Sequence, residues 1–279
     1  GHISSLLGPI RGRKDLPHVN LVIEHMKKKY GIQDSPHLYS LLIEIYGKSG
    51  YTHYARHLFD QMSTHPKLAW KAIIRTYVQG GHFNEAFYLW NQLCQEASIP
   101  DMFTFVSILT TFGCLVDPSN GQRIHALVVC NGFVSDMAIG TALVNMYGKC
   151  GRLDEAIEAF NDIDEPCAMT WNVMMTIYSK HYNQGDVAIS FLHHMQERGI
   201  LPDKVSFINI LSVHRLETDI YYGHIGEQVH VQVFSQGMHT HVTLGNAMIN
   251  MYSVSGKLHD AHLAFDDILD PDMISWTSI

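Results

Sequence analysis

Charge is scarce in this sequence of 279 residues: Asp, Glu, Lys and Arg together make up 16%, with 19 Lys plus Arg against 27 Asp plus Glu. A formal net charge of −8 argues against a protein that holds a polyanion mainly through its phosphates, a mode that draws its affinity from accumulated cations. Cysteine is sparse too. The five, Cys94, Cys114, Cys130, Cys150 and Cys167, are scattered with no Cys-x-x-Cys pair, which excludes a dense disulfide framework and suits free thiols in a reducing compartment. No apolar run reaches transmembrane length and the start carries no signal-peptide pattern, so no membrane partner is expected. The chain opens on Gly1-His2 rather than Met and stops at Ile279 inside a repeating pattern, and it is expected to be a fragment of something longer. What it has in quantity is apolar content, 46% hydrophobic residues, ample for a sizeable core.

It also repeats itself. GTALVNMYGKCGRLDEAIEAFNDI, from Gly140 to Ile163, returns 105 residues later as GNAMINMYSVSGKLHDAHLAFDDI, from Gly245 to Ile268, with 12 of 24 positions identical. The shared residues include an Asn-Met-Tyr triplet, a central Gly and an Ala-x-x-Ala-Phe run. A more worn copy runs from Tyr39 to Met62.

Within a copy the apolar period is helical. Ile139, Ala142, Leu143, Met146 and Tyr147 form one stripe and Leu153, Ala156, Ile157, Phe160 and Ile163 a second, at spacings of three and four. Gly151 stands where a helix C-terminal glycine is expected, and Asp154-Glu155 open the next helix. Each copy therefore reads as a helical hairpin. One hairpin cannot bury both stripes alone, so the copies are expected to stack into a solenoid.

Punctuation sets the boundaries. SIPD ending at Asp101, ILPD at Asp203 and LDPD at Asp272 each precede a new apolar run, and an aromatic follows three residues into each run: Trp70, Phe105, Trp171, Phe207 and Trp276. Units of 36–66, 67–101, 102–136, 137–167, 168–203, 204–241 and 242–272 result, with a worn unit at 1–35 and the start of another at 273–279.

A 35-residue hairpin ending in Pro-Asp, alternating with a 31-residue form carrying Asn145-Met-Tyr-Gly-Lys-Cys-Gly151, resembles the repeats of plant pentatricopeptide repeat proteins of the PLS subclass. The third form of that cycle is matched by GQRIHALVVCNGF at Gly121–Phe133 and GEQVHVQVFSQGM at Gly226–Met238. In that scheme 1–35, 102–136 and 204–241 are L units, 36–66, 137–167 and 242–272 S units, and 67–101, 168–203 and 273–279 P units of one array over 1–279. Tetratricopeptide repeats, which serve as protein-binding scaffolds, are the alternative; they keep a near-constant period and a Trp-Leu-Gly pattern that is absent here.

The resemblance implies an all-α, right-handed superhelical solenoid that binds single-stranded organellar RNA at one base per repeat, in a plant mitochondrion or chloroplast. It implies that the fifth and last residues of a repeat read the base edge. The candidate RNA-binding pairs are Ser40 with Pro66, Lys71 with Asp101, Thr141 with Cys167, Asn172 with Asp203 and Asn246 with Asp272. Asn followed by Asp resembles the uracil-preferring combination, and Thr141 leans to a purine. Lys71 and Pro66 match no rule. In the L units Val106 with Asp136 and Ile208 with His241 offer apolar fifth residues, which cannot hydrogen-bond a base.

Local roles compete with base reading. Asp101, Asp203 and Asp272 stand where a helix N-cap is expected, and Asn172 and Asn246 fall in a first helical turn, where Asn bonds its own backbone. For Asp101 the capping role is expected, since its partner Lys71 fits no rule. The low charge leaves base stacking and edge bonds to carry recognition of an unpaired strand.

The 19 histidines invite a metal reading, which the spacing does not support. His53 and His57 stand four apart, but Tyr54 replaces the Glu of H-E-x-x-H; His193-His194 and His259 with His262 have no ligand cluster beside them. Solvated helix faces explain these, while His125 and His230 recur at matching places as repeat framework. Family members of this subclass often end in a zinc-dependent cytidine deaminase domain, but Pro166-Cys167 lacks the second Cys of Pro-Cys-x-x-Cys. The chain is therefore expected to be no enzyme and to hold no metal or cofactor. If it serves editing, a deaminase domain or editing partner protein is supplied elsewhere.

Overall fold

A computed structural model describes residues 36–96, 100–181, 185–212 and 220–279, all helix and turn; the worn unit at 1–35 lies outside the described residues. The chain divides into two compact units, residues 1–146 and 147–279.

In the first unit α1 (Pro36–Lys48) and α2 (Thr52–Asp60) form a hairpin, followed by α3 (Lys67–Gln79) with α4 (Phe83–Gln95) and α5 (Met102–Leu115) with α6 (Pro118–Cys130). α7 (Met137–Lys149) spans the boundary. The second unit holds α8 (Leu153–Asn161), α9 (Ala168–Thr176) with a π-helical extension Ile177–His181, and α10 (Gly185–Glu197). It continues through α11 (Lys204–Leu211), α12 (Ile220–Ser235), α13 (Val242–Val254), α14 (Leu258–Asp266) and α15 (Met273–Ser278). The stretch 168–203 is 36 residues against 35 in 67–101, and the extra residue falls before α10, where the π turn takes it up.

First helices pack on first helices: α1 on α3 and α3 on α5 in one unit, α9 on α11, α11 on α13 and α13 on α15 in the other. Both expected stripes face inward, with Ile139, Leu143, Met146, Tyr147, Ala156, Phe160 and Ile163 buried. Gly151 and Gly256 close their hairpin turns at φ 70° and 72°, a backbone that an L side chain resists.

The repeated motifs are contacts between successive hairpins. A Cβ on Gly121 would fall 2.5 Å from Met146 Sδ, and one on Gly226 2.4 Å from Met251 Sδ, so the glycine that opens each L signature seats the Met of the next Asn-Met-Tyr position. The tyrosine of the second copy pairs with the L-signature histidine, His230 Nδ1 and Tyr252 Oη lying 2.7 Å apart. Burial pushes the Tyr252 phenol up to about 12, so it stays a neutral hydroxyl. The Phe of the Ala-x-x-Ala-Phe run meets the marker Trp edge-on in both copies, Phe160–Trp171 at 5.0 Å and Phe265–Trp276 at 4.8 Å, and Phe59 of the worn copy meets Trp70 likewise at 4.8 Å.

Gly47 shows how close the helices come. A Cβ there would lie 2.0 Å from Thr76 Oγ1 and 2.9 Å from Thr76 Cβ, and Thr76 is buried with its hydroxyl donated to Ala72 O. Gly47→Ala gains about 1 kcal/mol of helix propensity, but overpacking of this kind costs roughly 1–3 kcal/mol, so the melting temperature should fall. Thr76→Gly should rescue it, with a coupling of at least about 1 kcal/mol in a double-mutant cycle. Additive effects of the two changes would show that the contact is absent.

Candidate functional site

Asp203 opens α11. Its backbone is extended, φ −106° and ψ −178°, and a capping box joins it to Ser206: Ser206 N donates to Asp203 Oδ1 at 2.9 Å and Asp203 N to Ser206 Oγ at 3.0 Å. The same oxygen accepts from Asn172 Nδ2, 2.9 Å away and 31 residues earlier in the chain. Asn172 projects from α9 and is only 5% exposed, because Ser206 Oγ donates to its Oδ1 at 2.7 Å and Asn209 Nδ2 to its backbone carbonyl at 3.0 Å. The hydroxyl and the carboxylate fix the amide orientation. Asn172 Nδ2 carries a second N–H and Asp203 a second carboxylate oxygen, a further donor and a further acceptor on the same pair.

The arrangement recurs. Asn246 Nδ2 donates to Asp272 Oδ1 at 3.1 Å, Ser275 Oγ to Asn246 Oδ1 at 2.6 Å, and Ser275 N to Asp272 Oδ1 at 2.8 Å within a second capping box. Burial pushes the Asp203 carboxyl up, but the bonds from Ser206 and Asn172 outweigh it and hold the group below the usual carboxylate range. Bonds from Ser275 N and Asn246 lower Asp272 in the same way. Capping and pairing therefore coexist on one carboxylate. The two asparagines do not turn to their own backbone as a first-turn Asn does elsewhere.

The other candidate residues are placed differently. Asp101 caps α5, accepting from Thr104 N at 2.8 Å and Thr104 Oγ1 at 2.6 Å, and Lys71 Nζ lies 3.6 Å from its second oxygen. Thr141 donates its hydroxyl to Met137 O at 2.7 Å. Cys167 precedes α9 with its sulfur 3.6 Å from Thr170 Oγ1; burial raises the thiol, and hydrogen bonds from Thr170 outweigh it and lower it. Ser40 is 1% exposed and donates back to Pro36 O at 2.8 Å, and Pro66 is the N-cap of α3 without a side-chain bond. Asp136 caps α7 through Ala138 N and Ile139 N, both at 3.0 Å. His241 precedes α13 without a side-chain cap bond.

Three polar partners escaped the sequence reading: Ser206, Ser275 and Asn209. The serines leave a signal in Asp-x-x-Ser, which recurs at 203–206 and 272–275. A second feature is a set of exposed apolar side chains. Phe103, Met169, Val205 and Ile274 each stand two residues after the last residue of a repeat, on the solvent side of a first helix. His53, His57, His193, His194, His259 and His262 lie on exposed helix faces. Among the described residues no three His, Cys, Asp or Glu groups are placed to hold a metal ion, and no helix is long and apolar enough to cross a membrane.

Sequence profiles of the PPR repeat match residues 37–65, 68–96, 141–165 and 246–270, and one of the PPR repeat family matches 166–213. A chloroplastic pentatricopeptide repeat-containing protein of Arabidopsis thaliana, At4g25270, is 32% identical over 92% of the chain. A mitochondrial one, At2g46050, is 30% identical over 90%. The chain spans 48% and 42% of these two relatives. Among solved structures, the pentatricopeptide repeat protein PPR10 in complex with an 18-nucleotide psaJ RNA element superposes with a TM-score of 0.76 at 20% identity, over 96% of this chain and 40% of that one. The fold is thus an all-α solenoid of helix-turn-helix repeats.

Proposed function

This chain belongs to the pentatricopeptide repeat family, and from that premise we propose that it is the single-stranded RNA recognition module of an organellar RNA-processing or C-to-U editing factor. It is one array over 1–279 of the PLS subclass, it binds rather than catalyses, and a deaminase supplied elsewhere performs any editing. Its place is a plant organelle, in keeping with relatives named chloroplastic and mitochondrial.

The observation that carries the reading is the twofold recurrence of Asn, Asp and Ser in one geometry, at 172, 203 and 206 and at 246, 272 and 275. Uracil presents a carbonyl acceptor beside its N3–H donor, which is the complement of the asparagine N–H beside the aspartate oxygen. Cytosine keeps a carbonyl acceptor, its O2, but presents N3 as an acceptor beside it, so the aspartate oxygen would face another acceptor. The exposed Met169, Val205 and Ile274 offer flat apolar contact to the base faces, which needs no cationic surface.

The order of units gives a ligand running 5′ to 3′ as purine for 137–167, uracil for 168–203, any base for 204–241 and uracil for 242–272. Selection from a random RNA pool with the 279-residue chain should enrich that spaced pair of uracils. Recovery of no RNA consensus, or of a peptide ligand in a parallel display, would favour a tetratricopeptide-like scaffold instead.

A further inference from the structure

In 67–101 the fifth residue is Lys71, and its side chain meets the cap aspartate that the asparagines meet in 168–203 and 242–272. Its ammonium lies 3.6 Å from Asp101 Oδ2 and 3.7 Å from the centroid of the exposed Phe103 ring. Asp101 otherwise repeats the constellation of Asp203: an N-cap aspartate accepting from the backbone N–H and the hydroxyl of the residue three further on, here Thr104. Phe103 stands where Val205 and Ile274 stand after the two Asn–Asp pairs. Resting on the reading proposed above, we infer that Lys71 is a built-in plug: it occupies the edge-reading oxygen and the apolar face of this one repeat together, so the repeat passes a base without reading it.

Both contacts favour the plug over a reading role. An ammonium held against a carboxylate and an aromatic face has its charge compensated within the protein. Reaching for a base acceptor would give up both contacts and uncover the ring. The remaining parts of the repeat, Asp101 and Thr104, are intact. The single substitution Lys71→Asn removes the plug and sets an amide beside them, and it should create a working uracil reader.

The test uses the whole chain and RNAs that vary at two places, the base matched to 168–203 and the base three nucleotides 5′ of it, matched to 67–101. Wild type should prefer U over C at the first place and be indifferent at the second. Lys71→Asn should acquire a U-over-C preference of about fivefold at the second, as expected for one or two net edge hydrogen bonds, and keep the first unchanged. Lys71→Ala should stay indifferent there. Wild-type discrimination at the second place, or a Lys71→Asn chain that discriminates only at the first, would overturn the plug and leave the proposed function standing. Loss of preference at both places in both proteins would overturn the proposed function and the plug with it. Independently of RNA, the Lys71 Cε protons should resonate upfield under the Phe103 ring and move back in Phe103→Leu; ordinary shifts in the wild type would also overturn it.

Discussion

Asp203→Asn is expected to turn the preference of residues 168–203 from uracil towards cytosine and to leave the melting temperature nearly unchanged. The carboxylate Oδ1 accepts from Ser206 N and Asn172 Nδ2, and an asparagine carbonyl oxygen in the same place can accept from the same two groups. Asn and Asp are about equal as N-caps, so the start of α11 should hold. Only the second carboxylate oxygen changes, from an acceptor to an N–H donor, and a donor matches the N3 of cytosine rather than the N3–H of uracil. With net edge bonds of about 1 kcal/mol each, a shift on the order of fivefold to tenfold in the U-to-C ratio should appear in competition titrations. The acid limb of stability supplies a control. The folded-state carboxyl of Asp203 is held low, so its contribution is present above the unfolded value near 3.9 and is lost as pH falls through the lower folded value. Asp203→Asn should therefore be less sensitive to acid than wild type below about pH 4. An unchanged base preference with unchanged stability would reduce Asp203 to a cap and withdraw the uracil reading of Asn172.

Trp171→Ala should be the most destabilising of these substitutions. Trp171 is 3% exposed and packs edge-on against Phe160 at 5.0 Å and Phe191 at 5.7 Å, with the Arg198 guanidinium 5.6 Å from its ring centre. Its indole Nε1 has no hydrogen-bond partner among the described residues, so truncation orphans no acceptor and the loss is one of packing. A change from Trp to Ala in such a place costs about 3–5 kcal/mol. Hairpins stabilise mainly their neighbours, so a broadened or split transition is expected rather than a uniform shift. Trp276→Ala provides the contrast: it keeps the same contact, Phe265 at 4.8 Å, but is 65% exposed and should cost less than about 1 kcal/mol. Equal losses for the two tryptophans in thermal unfolding would contradict the packing described here.

Much of this was written in the order of residues. The stripes through Ile139 and Tyr147 and through Ala156 and Phe160 required two helices with one buried face each, and Gly151 marked the turn between them. The aspartates before α5, α11 and α15 announced caps, which the structure contains. These signals are local: a helix period, a cap and a left-handed turn depend on residues within a few positions of each other.

What lay outside the sequence is what joins residues 20 to 40 positions apart. That Met146 rests on Gly121 and His230 on Tyr252 turns two anonymous motifs into contacts between hairpins. That Asn172 faces Asp203 and Ser206 rather than its own helix, and that Lys71 covers Phe103, depends on how far one hairpin is rotated against the next. The sequence determined which segments are helices, where they stop and which faces they bury, because those follow from short-range periodicity. Only the packing of hairpin on hairpin decided which polar atoms are consumed inside the protein and which still face outward, because a side chain's hydrogen bonds are fixed by neighbours that the chain brings back from a full repeat away.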